Sequence, residues 1–275
     1  MFVSAVILCF NSERHIAKAV TSLAAEYRRL AEPCEILVVD NGSQDGSVAL
    51  LKDLETRHPD LLRVIYSPIN TGTTVSRNMA MRRARGRVIA IMDSDIEIPE
   101  GALQTLLPLL AAAPRTGLLA PRLIYPDGRA QLSADVFPTL PHKLRRFVSL
   151  KRMERGLEPE ADRRRLVDYA ISAFWLIPRP VMERVGLLDE RIFYSPEDVD
   201  YCLRVWQAGY EVVYEPSVSI VHDAREISRG FKRPAFTLSH AKGLGYLFRK
   251  HGYVFGRGRL YRRLGMTGKT NRGSA

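Results

Sequence analysis

The first half of the chain alternates short β-branched apolar runs with helix-like segments, and that rhythm admits few folds. Candidate strands cover 3–10, 35–40, 62–67, 88–93 and 117–123, with amphipathic stretches over 15–30, 46–58, 74–85 and 99–112 between them. Strands that are apolar throughout and separated by helices predict a mostly parallel sheet covered on both faces, a doubly wound α/β architecture. Asn11 or Ser12 is placed to cap the first helix, Gly86 to close the third, and Pro99 to sit in a first helical turn. Ligands of such sheets bind beyond the carboxyl ends of the strands, where Asn11, Asp40 and Asp93 fall.

The second half is less regular. Residues 135–165 hold Pro138, Pro141 and many Arg and Lys with no strand period, and read as a flap or acceptor-side insertion. An apolar run returns at 168–176, followed by a short helix over 181–185, a helix over 196–208 ended by Gly209, and strands at 211–214 and 218–221. Residues 1–224 form the expected α/β domain, and 225–275 a basic amphipathic helical tail.

Charge and cysteine content narrow the function. The formal charge of +11 resides in the tail, which carries thirteen Lys and Arg against Glu226 alone. Basic residues outside the expected crevice, with no nucleic-acid-binding module, argue against a nucleic-acid partner. Segment 236–266 interleaves Phe236, Leu244, Tyr246, Leu247, Phe248, Tyr253, Phe255 and Leu260 with Lys and Arg, as an interfacial helix on an anionic membrane does. Cys9, Cys34 and Cys202 form no metal or disulfide pattern and suit a reducing cytosol. The N-terminus does not read as a signal peptide, and the longest uncharged stretch, 101–114, is too short to span a bilayer. A cytoplasmic protein, peripheral on the inner face of the plasma membrane through its tail, is the expected location. No G-x-G-x-x-G follows the first strand, which argues against a nicotinamide-dependent oxidoreductase.

Three acidic clusters remain. Asp40 ends the second strand before Asn41-Gly-Ser-Gln-Asp-Gly-Ser47 and is placed to accept hydrogen bonds from a nucleoside. Asp93-Ser94-Asp95 stands at the mouth of the fourth strand, where two carboxylates one residue apart can hold a hard divalent cation that bridges diphosphate oxygens. Glu197-Asp198-Val-Asp200 opens a helix after Phe193-Tyr194; acids there can simply stabilise a helix dipole, but two that project differently also allow one to orient while the other acts. His222, at a strand end, could complete a carboxylate metal site.

In order and spacing these pieces resemble the family 2 glycosyltransferases of the GT-A fold over about residues 2–224. The stretch 186–204, followed by Ala208-Gly-Tyr-Glu-Val212, is similar to the rhamnosyltransferase-like branch, with Thr73 where that branch usually carries an aromatic. The resemblance implies inverting transfer of a sugar from a nucleoside-diphosphate donor, UDP or dTDP favoured, to a carbohydrate or lipid-linked acceptor in cell-surface polysaccharide or glycolipid synthesis. It implies donor contacts from Phe10, Asn11, Glu13, Asp40, Asn70, Gly72, Arg77, Asp93 and Ser94, with Mn²⁺ or Mg²⁺ on Asp95 and His222. By the same resemblance Asp198 is the catalytic base and Glu197 its companion. A catalytically dead sugar-nucleotide-binding module is the competing reading, and retention of all the matched acids weighs against it.

Overall fold

The uncharged run Val3–Cys9 forms β1, wholly internal to the sheet because each face of it meets apolar side chains. In the computed structural model, which describes residues 2–143, 163–224 and 234–266, β1 pairs in parallel with β2 (Glu35–Asn41) and β4 (Val88–Asp93), and β2 pairs in parallel with β3 (Leu62–Ser67). The helices α1 (Ile16–Leu30), α2 (Ser47–Arg57), α3 (Thr73–Met81) and α4 (Ala102–Ala111) alternate with these strands as expected.

Beyond β4 the sheet becomes mixed. The sequence continues through β5 (Ile96–Glu97) and β6 (Thr116–Ile124), the two-residue strands β7 (Ala130–Gln131), β8 (Ala134–Asp135), β9 (Arg165–Leu166) and β10 (Tyr169–Ala170), then β11 (Phe174–Pro178) and β12 (Glu211–His222). The main path runs β3-β2-β1-β4-β11-β6-β12-β5, with β11 antiparallel to both β4 and β6 and β6 parallel to β12. The expected strands at 211–214 and 218–221 are one strand with a register shift between Glu215 and Ser219, which carries His222 to the same end of the sheet as the β4 acids.

Side chains alternate between two apolar layers. Ile7, Ile36 and Val38 join α1, α2 and α4 on one face, while Val6, Leu37 and Val39 join α3, the helix Glu197–Gln207 and the C-terminal segment on the other.

Local signals resolve differently in places. Neither Asn11 nor Ser12 caps α1 with its side chain; the Ser12 carbonyl accepts from His15 and Ile16 N–H, because the Ser12 hydroxyl is engaged with Ser94. Helix α3 stops at Met81 rather than reaching Arg85, since Arg85 N–H turns to Glu35 and Ser4 and Gly86 N–H to Ser4. Gly86 is required by close approach: a Cβ there would overlap the β1 backbone at Ser4. Pro99 precedes α4, whose first N–H groups at Gly101 and Leu103 are met by the buried Glu26 carboxylate at 2.8 and 2.9 Å.

The basic tail departs furthest from expectation. Its helices Pro234–His251 and Gly258–Leu264, with the residues that follow each, bury Leu247, Phe248, Tyr253, Leu260, Tyr261, Leu264 and Met266 in the main core. Four of the residues assigned to an interfacial face, Leu247, Phe248, Tyr253 and Leu260, therefore face protein; Arg249, Arg259, Arg262 and Arg263 face outward. Tyr261 O–H donates to Asp168 at 2.5 Å, and Leu140 N–H to Val254 O at 3.0 Å, tying the start of the 135–165 insertion to this segment. Residues 144–162 of the insertion and 225–233 and 267–275 of the tail lie outside the described residues.

Leu247 is fully buried, so Leu247→Ala leaves a cavity and should lower unfolding stability by about 2–5 kcal/mol in one cooperative urea transition. An unchanged midpoint would instead mark the C-terminal segment as an independent appendage.

Candidate active site

The carboxyl ends of β1, β2 and β4 open into one crevice. At its floor lies Arg77, carried there by α3 and only 1% exposed. Its guanidinium donates to Asp93, to the Ser172 carbonyl at 3.2 Å and hydroxyl at 2.8 Å, and to Glu197 at 3.4 Å. A buried guanidinium requires such partners, and these bring the β4 mouth and the helix Glu197–Gln207 together.

Asp93, Asp95 and His222 each offer a ligand atom within 4.8 Å of the others. His222 Nε2 lies 3.3 Å from Asp95 Oδ1, while its Nδ1 is 2.7 Å from Gln131 Oε1. With the Gln131 oxygen accepting from Nδ1–H, the neutral ring turns the Nε2 lone pair toward the carboxylates, the tautomer that a metal-binding imidazole needs. Two carboxylates and one imidazole suit Mn²⁺ or Mg²⁺, so the residues fit the implied cation. In the bare protein burial pushes Asp93 up, against the Arg77 guanidinium; burial also acts on Asp95, but the hydrogen bond and charge of His222 in its protonated form hold it below the usual carboxylate range.

The two successive acids have separate environments. Glu197 is buried, with Oε1 2.9 Å from the Ser172 hydroxyl. Burial, then the neighbouring Asp198 charge, push its carboxyl up to about 8, and Arg77 and Ser172 only partly offset them. Asp198 is half-buried. One acid is thus neutral near pH 7 and fixed, while the other is partly exposed. Tyr194 stands among the same charges: burial first, then Glu197 and Asp93, raise its phenol far above the ordinary value.

On the opposite side, Asp40 Oδ2 accepts from Ser43 N–H at 3.4 Å, and its buried Oδ1 has no protein partner. An unpaired buried carboxylate oxygen at a strand end is costly unless a ligand donates to it. Phe10 is exposed beside it, following Cys9, which pairs with Asp40 in the sheet. Asn11 Oδ1 accepts from Gln44 N–H and Glu13 Oε2 from Gly46 N–H, both at 2.8 Å, so these side chains stitch the β1 and β2 loops together. Ser94 bridges to Ser12 at 2.7 Å. Asn70 Oδ1 accepts from Asn41 and from Gly72 N–H, and Gly72, at φ +85°, lets Thr73 N–H reach Phe193 O at 2.7 Å; a Cβ on Gly72 would overlap that carbonyl. The Asn70–Gly72 turn thereby fixes the Phe193–Ser195 strap in front of the acids.

Ser172 and Gln131 escaped the sequence reading. Neither lies in a recognisable motif, and each gains its role only by pairing with a residue far along the chain.

The family model described as Glycosyl transferase family 2 matches residues 4–186. The chain is 29% identical over 239 residues to the N-acetylglucosaminyl-diphospho-decaprenol L-rhamnosyltransferase of Mycobacterium tuberculosis, covering 79% of this chain and 74% of the relative. Among solved structures, mannosyltransferase PcManGT from Pyrobaculum calidifontis in complex with GDP-Man and Mn²⁺ aligns at TM-score 0.62 and 18% identity, over 96% of this chain and 68% of that one. GalNAc-T7 with UDP, GalNAc and Mn²⁺ aligns at TM-score 0.66 and 16% identity, over 90% of this chain and 48% of that one. These likenesses establish the GT-A fold.

The raised Glu197 group has a consequence for stability. Its folded value, about 8, lies above the ordinary value of 4.5, so the unfolded chain ionises first as pH rises and stability falls between those two values. Measured with chelator present, Tm should drop from pH 5 to pH 8 in the wild type and drop less in Glu197→Gln. Equal drops would mean that Glu197 is ionised in the folded protein.

Proposed function

The chain belongs to the family 2 glycosyltransferases, and from that premise we propose that it transfers a sugar with inversion from a nucleoside-diphosphate donor to an acceptor hydroxyl, with Asp198 as general base. The observation that carries this reading is the contrast between the adjacent acids: Glu197 is held by Arg77 and Ser172, Asp198 beside it is half-buried, and the same Arg77 reaches Asp93 of the Asp93, Asp95 and His222 group.

Asp40 receives the nucleobase. Its unpaired buried oxygen suits the N3–H of uracil or thymine, which favours a UDP- or dTDP-sugar, and Phe10 supplies an exposed ring beside it. Asp93, Asp95 and His222 would hold Mn²⁺ or Mg²⁺, which supplies charge neutralisation for the departing diphosphate. Arg77 fixes Asp93 from below, so that its carboxylate does not rotate away from the diphosphate side. Asp198 takes the acceptor hydroxyl proton as that oxygen attacks the anomeric carbon, and a neutral Glu197 leaves a single negative charge at the base position.

The acceptor is a carbohydrate or lipid-linked hydroxyl. The name of the mycobacterial relative specifies a decaprenol-linked diphosphate acceptor, and by that likeness the acceptor side of this chain faces a membrane surface. Arg249, Arg259, Arg262 and Arg263, with Phe255 and Leu238, are exposed and would be the side chains available to an anionic leaflet. Among the described residues, no helix is long and apolar enough to cross a membrane.

Asp198→Asn should lower turnover about a hundred- to ten-thousand-fold while the stabilisation of the folded protein by UDP or dTDP with Mn²⁺ stays intact in a thermal-shift assay. Parallel loss of both would give Asp198 a donor-binding or folding role. Asp95→Ala should remove the metal-dependent part of that stabilisation, and nucleotide binding indifferent to chelator would dismiss the cation.

A further inference from the structure

The C-terminal helix Pro234–His251 presses on the catalytic helix Glu197–Gln207 at both ends of its first turn. At Gly243 the backbones meet so closely that a Cβ would overlap the Ser195 carbonyl oxygen and stand 3.2 Å from Pro196 Cδ. Ser195-Pro196 is the turn immediately ahead of Glu197 and Asp198. Two turns along the C-terminal helix, Lys250 Nζ donates to Asp200 Oδ1 at 2.6 Å and His251 Nε2 lies 2.8 Å from the same oxygen. Asp200 is fully buried, and its other oxygen accepts from Arg204 at 2.9 Å. Lys250 also reaches Asp189 at 2.7 Å, and Tyr246 O–H donates to Asp189 at 2.8 Å, so the same helix holds the loop that leads into Phe193.

We infer that this helix is a positioning element for the base, with Gly243, Lys250 and His251 together setting where Asp198 stands relative to the crevice. The inference rests on the proposed role of Asp198 and adds to it a part of the chain outside the segment matched by the family model, which ends at 186. Asp198 lies between the two contacts: three residues after Ser195 and two before Asp200. Any shift of the C-terminal helix must therefore move the first turn that carries it. Burial pushes the Asp200 carboxyl up, but His251, Arg204 and Lys250 overcome it and hold the group at about 2, so Asp200 stays ionised across the working pH range. The inference concerns only positioning, since none of the three residues reaches the crevice acids Asp93 and Asp95.

The helix supplies its own control. Gly245 lies two residues beyond Gly243, and nothing stands within 4 Å of a Cβ built on it. The same chemical change is therefore tested with and without contact. Turnover is followed as release of UDP or dTDP from the sugar nucleotide, and amide hydrogen exchange is followed over 195–200. Gly243→Ala should lower kcat by about ten- to a hundredfold, as misplacement of a catalytic group by about 1 Å does, with donor KM within about threefold, and should speed exchange over 195–200. Gly245→Ala should leave both readouts at wild-type levels. Should Gly243→Ala fold poorly, Lys250→Met against Lys250→Arg gives the same contrast: the Met variant loses kcat, and Arg, which can still pair with Asp200, restores part of it.

Equal kcat and equal exchange in the two glycine variants would overturn the positioning role. So would a loss confined to Tm, with kcat per folded molecule unchanged. If Asp198→Asn itself retains turnover, the base assignment fails first; faster exchange in Gly243→Ala alone would then still show that the contact orders this turn.

Discussion

A single guanidinium sealed beneath the crevice organises the site. Arg77 meets Asp93 on one side, Glu197 on the other, and both the hydroxyl and carbonyl of Ser172 below. Removing one partner of such a buried set leaves an uncompensated charge in a low-dielectric interior, at a cost of about 3–5 kcal/mol, so its members hold one another in place. The pairing also sets chemistry. Arg77 lowers both carboxyls, yet burial keeps both raised, and at Glu197 the neighbouring Asp198 charge adds to it. The end of β4 and the start of the helix Glu197–Gln207 thus share one fixed positive charge.

Around this core, backbones are brought unusually close by glycine. Gly72 brings the Asn70–Gly72 turn against Phe193, Gly86 brings the end of the α3 segment against β1, and Gly243 brings the C-terminal helix against Ser195. Two of the three contacts fall on the strap 193–196 that precedes the acids. A strap clamped from both sides has little freedom, which is what a base needs if its oxygen is to meet an acceptor hydroxyl at hydrogen-bond distance.

Much of this was legible in the sequence because the chemistry sits where elements end. Asp40, Asp93 and His222 close apolar strands, and Glu197 and Asp198 open a helix, so punctuation and residue type mark them together. What the sequence concealed depends on pairing at a distance. Gln131 lies in a two-residue strand and matters only through His222, and Ser172 only through Arg77 and Glu197. Gly86 has the composition of a helix stop, yet its role is a close approach to β1 that no local pattern encodes. The order of β11 between β4 and β6 was hidden as well, since an apolar run does not state its partner or its direction.

The tail shows why amphipathic pattern alone does not name a surface. Apolar residues alternating with Lys and Arg satisfy a membrane interface, and they equally satisfy a helix laid on a protein core with its basic side chains in water. The deciding quantity is which apolar surface lies within reach. Here Trp206, Val199 and their neighbours on the catalytic helix leave an apolar layer that Leu247, Phe248 and Leu260 join, and burial of each such side chain contributes about 1.5–3 kcal/mol. Docking on the core leaves Arg249, Arg259, Arg262 and Arg263 outermost. Under the proposed function, the segment that would approach an acceptor-bearing surface is thereby the same one that meets Ser195 through Gly243 and Asp200 through Lys250, on either side of Asp198.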